Sequence, residues 1–385
     1  MKLRVLIITE MIAPYRIPVF NALAKKNDLE VHVVFLSETD SMLRQWVVYK
    51  KEIQFSYQVL PSWRRRIGNN HMVLLNRGLC AALSRWQPKV VILGGYNYLS
   101  SWQTIVWARK HDVPLVLWCE SNLNDRRSNH ILIKFMKRMF LRRSDGFVVP
   151  GKASFEYLMT FGISPNAIST APNAVDIGLF ARGADWAKRH EAEVRREFDL
   201  PSRFFLFVGR LVPEKGVFDF LEAYQELDSC LRSEVSLVFA GGGAGEMALL
   251  RRASHIKPGR VQFVGFIQRE QLPSYYGLAE GFVFPTRSDP WGLVVNEAMA
   301  CGLPVVVSRV AGCTADLVRD GWNGYIVSPG DISKIGESMR ALAEQPALAK
   351  RMGLRSADHI RHYSPEACAA GLARAALQTL ERKRW

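Results

Sequence analysis

The stretch "FFLFVGRLVPEKG", residues 204–216, sets an unbroken apolar run against a turn that carries two cations between two glycines. A run apolar on both alternate faces is the pattern of a parallel strand covered on both sides, not of a half-solvated antiparallel one. The design recurs on the C-terminal side in "VSLVFAGGG" (235–243), "VQFVGF" (261–266), "GFVFPT" (281–286), "PVVVSR" (304–309) and "GYIVS" (324–328). On the N-terminal side it recurs in "LRVLIIT" (3–9), "EVHVVFLS" (30–37), "KVVILGG" (89–95), "PLVLWCE" (114–120) and "GFVVP" (146–150). Stretches long enough for helices separate them. Two such series imply an α/β protein of two doubly wound parallel-sheet domains, with ligands held beyond the carboxyl ends of the strands in a cleft between the sheets.

Length supports two domains, because 385 residues exceed the roughly 250–300 at which one hydrophobic core stops growing. Between the two series lies "PNAVDIGLFARGADWAKRHEAEVRREFDLPS" (172–202), polar and highly charged. The expected organisation is a first domain over 1–175, a linker over 176–200 and a second domain over 201–362. A C-terminal helix, 363–385, returns to the first domain.

Composition excludes several classes. No stretch reaches the roughly 20 apolar residues of a membrane span. The opening "MKLRVLIITE" is too short in its apolar run for a secretory leader and has no small-residue cleavage site. It is expected to be a first buried strand of a cytoplasmic protein. The six cysteines are scattered, without a Cys-x-x-Cys pair, so neither a zinc site nor a disulfide framework is expected, and most should be buried thiols.

The net charge of +15 is uneven. Residues 1–175 carry 24 Lys and Arg against 11 Asp and Glu, whereas the remainder carries 27 against 25. A basic half suggests an anionic partner, and the alternative is that the excess serves solubility alone. No aromatic-basic motif of a nucleic-acid reader is present, so no nucleic-acid partner is expected.

Candidate site residues lie where apolar runs end. Arg210 and Lys215, five residues apart around a turn, offer a guanidinium fork and a point charge suited to a diphosphate. Flanking Gly209 and Gly216 would let backbone approach a ligand. The turn Gly241–Gly245 is another such place. A dinucleotide fingerprint would follow the first strand, but that strand leads into Met11-Ile12-Ala13-Pro14-Tyr15-Arg16 without a glycine, which argues against a nicotinamide dehydrogenase. In "DPWGLVVNEAMACG" (289–302), a helix starting near Gly292 would turn free amides and a positive dipole end toward an anion. Glu297, about a turn inside, could accept two hydrogen bonds from a cis-diol; alternatively it is a helix-internal acid paired with an arginine.

Taken together, Gly-Arg-x4-Lys-Gly, the glycine turn, "FVGFI", and an acid, seven residues and Glu297 within "NEAMACGLPVV" resemble the nucleotide-binding half of retaining GT-B glycosyltransferases of family 4, the glycosyl transferases group 1. The resemblance extends to Val149-Pro150-Gly151-Lys152 and Pro172-Asn173-Ala174-Val175-Asp176, similar to that family's last N-domain strand and entry to the linker. It implies that Arg210 and Lys215 bind the donor diphosphate and steady the leaving group, and that Glu297 holds ribose hydroxyls. Gly241 and Gly243 belong to the donor site, Gly265 and Phe266 lie beside the base, and the amides of Gly292, Leu293 and Val294 face sugar and phosphate. Asp289 stands where the family usually has Glu, near the donor sugar, its carboxylate drawn back by about 1.5 Å.

The implied activity is transfer of a hexosyl group from a UDP- or GDP-sugar to a hydroxyl of a glycan or lipid-linked acceptor, with retention, in bacterial surface polysaccharide or glycolipid synthesis. No cofactor and no metal are implied; no Asp-x-Asp occurs, and the cations with the helix dipole would stand in. In the first domain Glu120 is the candidate polar group facing the acceptor, with Tyr15, Arg16, Arg64, Arg65 and Arg66 on the acceptor side. "HILIKFMKRMFLRR" (130–143) puts Ile131, Leu132, Phe135, Met136, Met139 and Phe140 on one face and Lys134, Lys137, Arg138 and Arg142 on the other. With the Trp-Arg-Arg-Arg loop (62–68) it could rest on the anionic inner face of the membrane, or it packs inward with a solvated basic face. A nucleotide-sugar epimerase of the same fold and a non-catalytic nucleotide-sugar binder are the alternative functions.

Overall fold

The apolar runs are strands, and their hydrogen bonds sort them into two parallel sheets, seen in a computed structural model that describes residues 2–39, 45–67, 71–124 and 131–384. The first nine strands are β1 (Leu3–Thr9), β2 (Leu29–Phe35), β3 (Ser56–Val59), β4 (Ser62–Ile67), β5 (His71–Asn76), β6 (Val90–Gly94), β7 (Leu115–Trp118), β8 (Gly146–Val149) and β9 (Ile168–Thr170). Six more follow: β10 (Phe204–Val208), β11 (Ser236–Ala240), β12 (Val261–Gly265), β13 (Gly281–Phe284), β14 (Val305–Ser308) and β15 (Gly324–Val327). The chain divides into one unit of residues 1–174 with 365–385, and a second of residues 175–364.

In the first unit the order is β3-β2-β1-β6-β7-β8-β9, parallel throughout. Its strand order reverses beside β1, where open α/β sheets place ligands. The last strand is β9, not the 146–150 run; with only three residues, one of them exposed, β9 has no apolar run to announce it. The Trp-Arg-Arg-Arg segment is likewise a strand and not a loop. Among the described residues it pairs only with β5, in antiparallel register with Trp63 opposite Leu75 and Arg65 opposite Val73. Arg64 and its partner Leu74 face inward while Trp63 and Arg65 face outward, so the strand alternates without an apolar run, and cross-strand pairs hold it.

The C-terminal helix Pro365–Arg384 lies on this sheet, burying Cys368, Leu372 and Ala376. A Cβ on Gly371 would stand 2.3 Å from the Thr170 carbonyl oxygen, so only glycine allows that approach. Ser169 donates to Gln378 at 3.0 Å.

In the second unit the order is β12-β11-β10-β13-β14-β15, again parallel throughout and reversing beside β10. All five residues of β10 are buried. Burying a side chain such as Phe204, Phe205 or Phe207 contributes roughly 1.5–3 kcal/mol, which is why the quoted run fixes the sheet's centre.

Residues 176–200, expected as a linker, are instead part of this unit. Asp176 accepts the Leu179 amide at 2.8 Å and so caps the helix Ile177–Arg189. That helix buries Phe180, Ala184 and Ala187. It packs close against the helix Leu272–Leu278: a Cβ on Gly183 would lie 2.6 Å from Pro273, and one on Gly277 2.9 Å from the Ala184 backbone. A second helix, Glu191–Glu197, buries Val194. The polar face of these helices masks a narrow stripe of small residues.

Of the apolar face assigned to the helix Ile131–Leu141, the side chains of Ile131 and Leu132 lie outside the described residues, as does that of Lys134 on the basic face. Phe140 and Leu141 are buried, and the Lys137 ammonium lies 5.9 Å from the rings of Tyr96 and of Tyr157. Phe135 and Met136 are exposed. Of the cysteines, Cys119, Cys301, Cys313 and Cys368 are buried while Cys80 and Cys230 are exposed, all as free thiols. No helix among the described residues is long and apolar enough to cross a membrane.

Candidate functional site

The loops leaving β10, β11 and β13 in the second unit are tied to one another by backbone. The Leu211 amide donates to the Gly242 carbonyl at 3.0 Å and the Gly245 amide to Leu211 at 2.8 Å. Here the glycines serve contact between loops: a Cβ on Gly241 would lie 1.9 Å from the Gly209 carbonyl oxygen, and one on Gly243 2.6 Å from that of Leu211. On the other side, the Arg287 amide donates to the Glu214 carbonyl at 2.8 Å and the Thr286 hydroxyl to the same oxygen at 3.2 Å. A Cβ on Gly216, at φ +70°, would sit 2.0 Å from the Pro285 carbonyl oxygen. Gly216 therefore admits a neighbouring loop rather than a ligand.

That contact carries Lys215 inward. Its side chain is 11% exposed, and its ammonium donates to the Ser288 carbonyl at 2.9 Å and to Asp289 Oδ2 at 2.8 Å. Asp289 Oδ1 accepts the Trp291 amide at 3.0 Å. Arg210 is different, 58% exposed and 4.0 Å from Glu214. One cation is fixed by largely buried partners and the other stands exposed beside an exposed acid.

The tryptophan and glycine of "DPWG" start the next helix, Leu293–Ala300. Buried Trp291 donates from Nε1 to Asn296 Oδ1 at 2.9 Å, pinning the approach to the first turn. Gly292 has φ +99°, and a Cβ there would come within 3.0 Å of the Phe284 ring. Residues 289–291 also run alongside 311–313: Gly312 donates to the Asp289 carbonyl at 3.1 Å and Cys313 to that of Trp291 at 3.0 Å. The amides of Leu293 and Val294 stand in the first turn, where no helix carbonyl precedes them.

Glu297 lies inside this helix and, among the described residues, pairs with no arginine. Tyr276, from the helix Leu272–Leu278, donates to its Oε2 at 2.9 Å. Burial pushes the carboxyl up to about 7, and the tyrosine hydrogen bond only partly opposes that. The tyrosine hydroxyl is itself driven well above its ordinary range by burial and by the carboxylate beside it. Gly265, at φ +70° with open space around its Cβ position, and Phe266, 43% exposed, close the β12 end. The Gly265 carbonyl accepts the Gly241 amide at 2.7 Å.

The sequence reading missed Tyr276, as well as Asp219, which holds Arg287 by two hydrogen bonds of 2.7 and 3.1 Å and so steadies the 286–289 loop. Neither stands at a strand end, and only the fold brings them there. Among the described residues no three His, Cys, Asp or Glu side chains gather as they would around a metal ion.

In the first unit Glu120 is not alone after β7. It pairs with Arg16, whose guanidinium lies 3.8 Å from the centre of the Trp118 ring and 5.5 Å from that of Tyr15. Burial opposes the charge on Arg16, but Glu120, together with Tyr15 and Cys368, more than offsets it and the arginine is held in its charged form. Arg64 sits 3.7 Å from Glu10. In both pairs the guanidinium is the deeper partner, 12% and 14% exposed, against 38% for Glu120 and 35% for Glu10. Arg16 and Arg64, expected as cations offered to an acceptor, are thus already engaged by carboxylates; Arg65 is exposed, and the Arg66 side chain lies outside the described residues. Tyr15 packs edge-on to Trp46.

Comparison with known proteins places this geometry. Residues 189–358 match the family described as Glycosyl transferases group 1, and residues 20–179 match Glycosyltransferase Family 4. The chain belongs to these GT-B glycosyltransferases, its two Rossmann-like halves each covered by one match. Glycogen synthase of Mycobacterium tuberculosis (strain H37Rv) is 28% identical over 274 residues, 69% of this chain and 63% of that protein. Alpha-D-kanosaminyltransferase of Streptomyces kanamyceticus is 28% identical over 273 residues, 70% of this chain and 65% of that protein. The chain thus spans a little under two thirds of these relatives' length. Sucrose-phosphate synthase from Thermosynechococcus elongatus has the same fold, with a TM-score of 0.74 and 19% identity over 99% of this chain and 100% of that one. So does Anabaena Alr3699/HepE in complex with UDP and glucose, with a TM-score of 0.72 and 16% identity over 97% and 98%.

Proposed function

We propose that the protein transfers a hexosyl group from a nucleotide-sugar, a UDP-sugar first among them, to a hydroxyl of a lipid-linked or glycan acceptor, with retention and without a metal ion. The observation that carries the reading is the Lys215 ammonium, on the loop after β10, fixed by Asp289 four residues before the amide-bearing helix Leu293–Ala300, with Glu297 inside that helix. A diphosphate would take the remaining ammonium hydrogen and the first-turn amides, and Arg210 would swing onto it. As the glycosidic bond breaks, its electron pair leaves on the diphosphate, and cations already in place stabilise that growing charge. Glu297 Oε1, with Oε2 oriented by Tyr276, would receive ribose hydroxyls. The UDP complexes of fold neighbours support the choice of nucleotide.

Exposed Trp63, Leu75, Phe135 and Met136 lie in a strongly basic half. Apolar side chains among cations suit an anionic lipid surface, so the acceptor is proposed to be presented at the inner face of the cell membrane.

Thermal-shift binding of UDP-, GDP- and ADP-sugars, followed by nucleotide release with lipid-linked acceptors, tests the reading. Stabilisation by one nucleotide-sugar class that is lost in Arg210→Ala and Glu297→Ala is the expected result. No stabilisation by any of them defeats it, and tight binding without turnover on any extracted acceptor makes the protein a binder. Co-sedimentation with phosphatidylglycerol vesicles but not phosphatidylcholine vesicles, weakened in Trp63→Ser/Phe135→Ser, checks the membrane element.

A further inference from the structure

We infer that Asp289 acts on the donor through Lys215, as a counter-ion that sets how hard the ammonium grips the diphosphate, and not as an acceptor for the sugar's hydroxyls. The inference rests on the reading of the second unit as a nucleotide-sugar site. Both oxygens of this carboxylate point away from a sugar role: Oδ1 takes the Trp291 amide at 3.0 Å and Oδ2 the Lys215 ammonium at 2.8 Å. The short side chain is what permits this. An aspartate two residues before Trp291 closes an Asx-type turn onto that amide, a geometry that tethers the carboxylate to its own backbone.

Lys215 is the matching half. An ammonium has three hydrogens, and two are directed to Ser288 and Asp289. One is left for a ligand, in a direction the other two define. The carboxylate also cancels much of the charge that the ammonium presents. A diphosphate therefore meets a positioned but partly neutralised cation, with exposed Arg210 supplying the full charge. The consequence is a site that orients the phosphates without holding the departing nucleotide too long. A contact with sugar hydroxyls predicts something else, discrimination between the nucleotide-sugar and the bare nucleotide.

The two roles separate in calorimetric titrations with UDP and UDP-glucose, or with GDP or ADP and the matching glucose conjugate if that nucleotide binds instead. For Asp289→Asn, the ammonium keeps only neutral partners and turns to the phosphates. Both ligands should bind about three- to tenfold tighter, with their Kd ratio within about twofold of wild type. Asp289→Glu keeps the charge beside the ammonium but gives up the turn onto the Trp291 amide, so it should tighten neither ligand, which separates loss of the counter-ion charge from a change in the loop's shape. Lys215→Met should weaken both ligands by a common factor. Selective weakening of UDP-glucose by fivefold or more in Asp289→Asn, with UDP unchanged, overturns the inference while leaving the donor site standing. Wild type that binds none of the three nucleotides overturns the donor-site reading, and the inference falls with it.

Discussion

The loop edges of the two sheets fix their charged groups by different means. In the second unit the loops are joined backbone to backbone, 211 with 242 and 245, 214 with 287, and 289–291 with 312 and 313. In the first unit, among the described residues, backbone joins only the loops after β1 and β2, Ser37 to the Glu10 carbonyl at 2.8 Å and Ile12 to that of Glu38 at 3.3 Å, while Glu120 after β7 is reached by a side chain, that of Arg16. Backbone ties keep a loop's shape whatever side chain it bears. Side-chain ties can be remade by a single substitution. A donor edge that must present phosphate donors in one geometry suits the first arrangement, and an edge that recognises a variable acceptor suits the second.

The sharpest way to break that contrast is Gly216→Ala. A Cβ 2.0 Å from the Pro285 carbonyl oxygen, at φ +70°, forces the two loops apart. The expected loss is about 3–5 kcal/mol of stability, read by urea denaturation, together with loss of nucleotide binding. A loss below about 1 kcal/mol would show that the contact is not what holds Lys215.

The first unit predicts an asymmetry instead. Glu120→Gln leaves the Arg16 guanidinium, 12% exposed, without its counter-ion, whereas Arg16→Met leaves a carboxylate 38% exposed that can turn to water. Glu120→Gln should therefore cost about 3 kcal/mol and Arg16→Met about 1 kcal/mol. Equal costs in denaturation curves would mean that the stacking of Arg16 on Trp118, not the ion pair, carries the stability.

The same contrast explains what could be read from the residues alone. Phe204–Val208 and its counterparts announce parallel strands because burial on both faces leaves no room for a polar residue. Arg210, Lys215 and Asp289 are legible because they follow the ends of such runs, and Glu297 because its spacing from Asp289 matches a family pattern. Asp176 was legible too, but as the start of a linker; its cap on the Leu179 amide belongs instead to a packed helix whose small residues leave no apolar signature. Tyr276 lies among buried residues of its helix, where an aromatic reads as core. Nothing local distinguishes a hydroxyl that happens to meet Glu297. The Trp-Arg-Arg-Arg strand escaped because the side chain it turns inward opposite buried Leu74 is an arginine, Arg64, so no apolar alternation marks it.

Glu297 sharpens the comparison through pH. Its carboxyl titrates at about 7 in the folded chain against an ordinary 4.5. Folded protein thus holds a proton that the unfolded chain has released, so this group's contribution is intact below 4.5 and is lost as pH rises to 7. Glu297→Gln carries no such loss. It should be more stable than wild type near pH 8 by on the order of 1–3 kcal/mol, the gain vanishing toward pH 4. At the same time it should bind nucleotide-sugar less well, since the ribose hydroxyls lose a charged acceptor. A variant no more stable than wild type near pH 8 would mean that the carboxylate is better solvated than its position implies.

Tyr276→Phe is the smallest perturbation, and it isolates the carboxylate's orientation. Removing the 2.9 Å hydrogen bond should cost about 1 kcal/mol in stability. The bond favours the charged form, so without it the carboxyl moves above 7, and ribose hydroxyls, which also favour that form, must do more to deprotonate it. Wild-type affinity for a nucleotide-sugar should fall as pH drops through 7, because ligand binding and protonation compete for the same oxygens. A nucleotide-sugar diphosphate is esterified at both ends and does not titrate in that range, so the protein alone sets the profile. In Tyr276→Phe the fall should begin at higher pH while affinity at the alkaline limit stays within about threefold of wild type. A uniform loss with an unmoved profile would make Tyr276 a packing residue only.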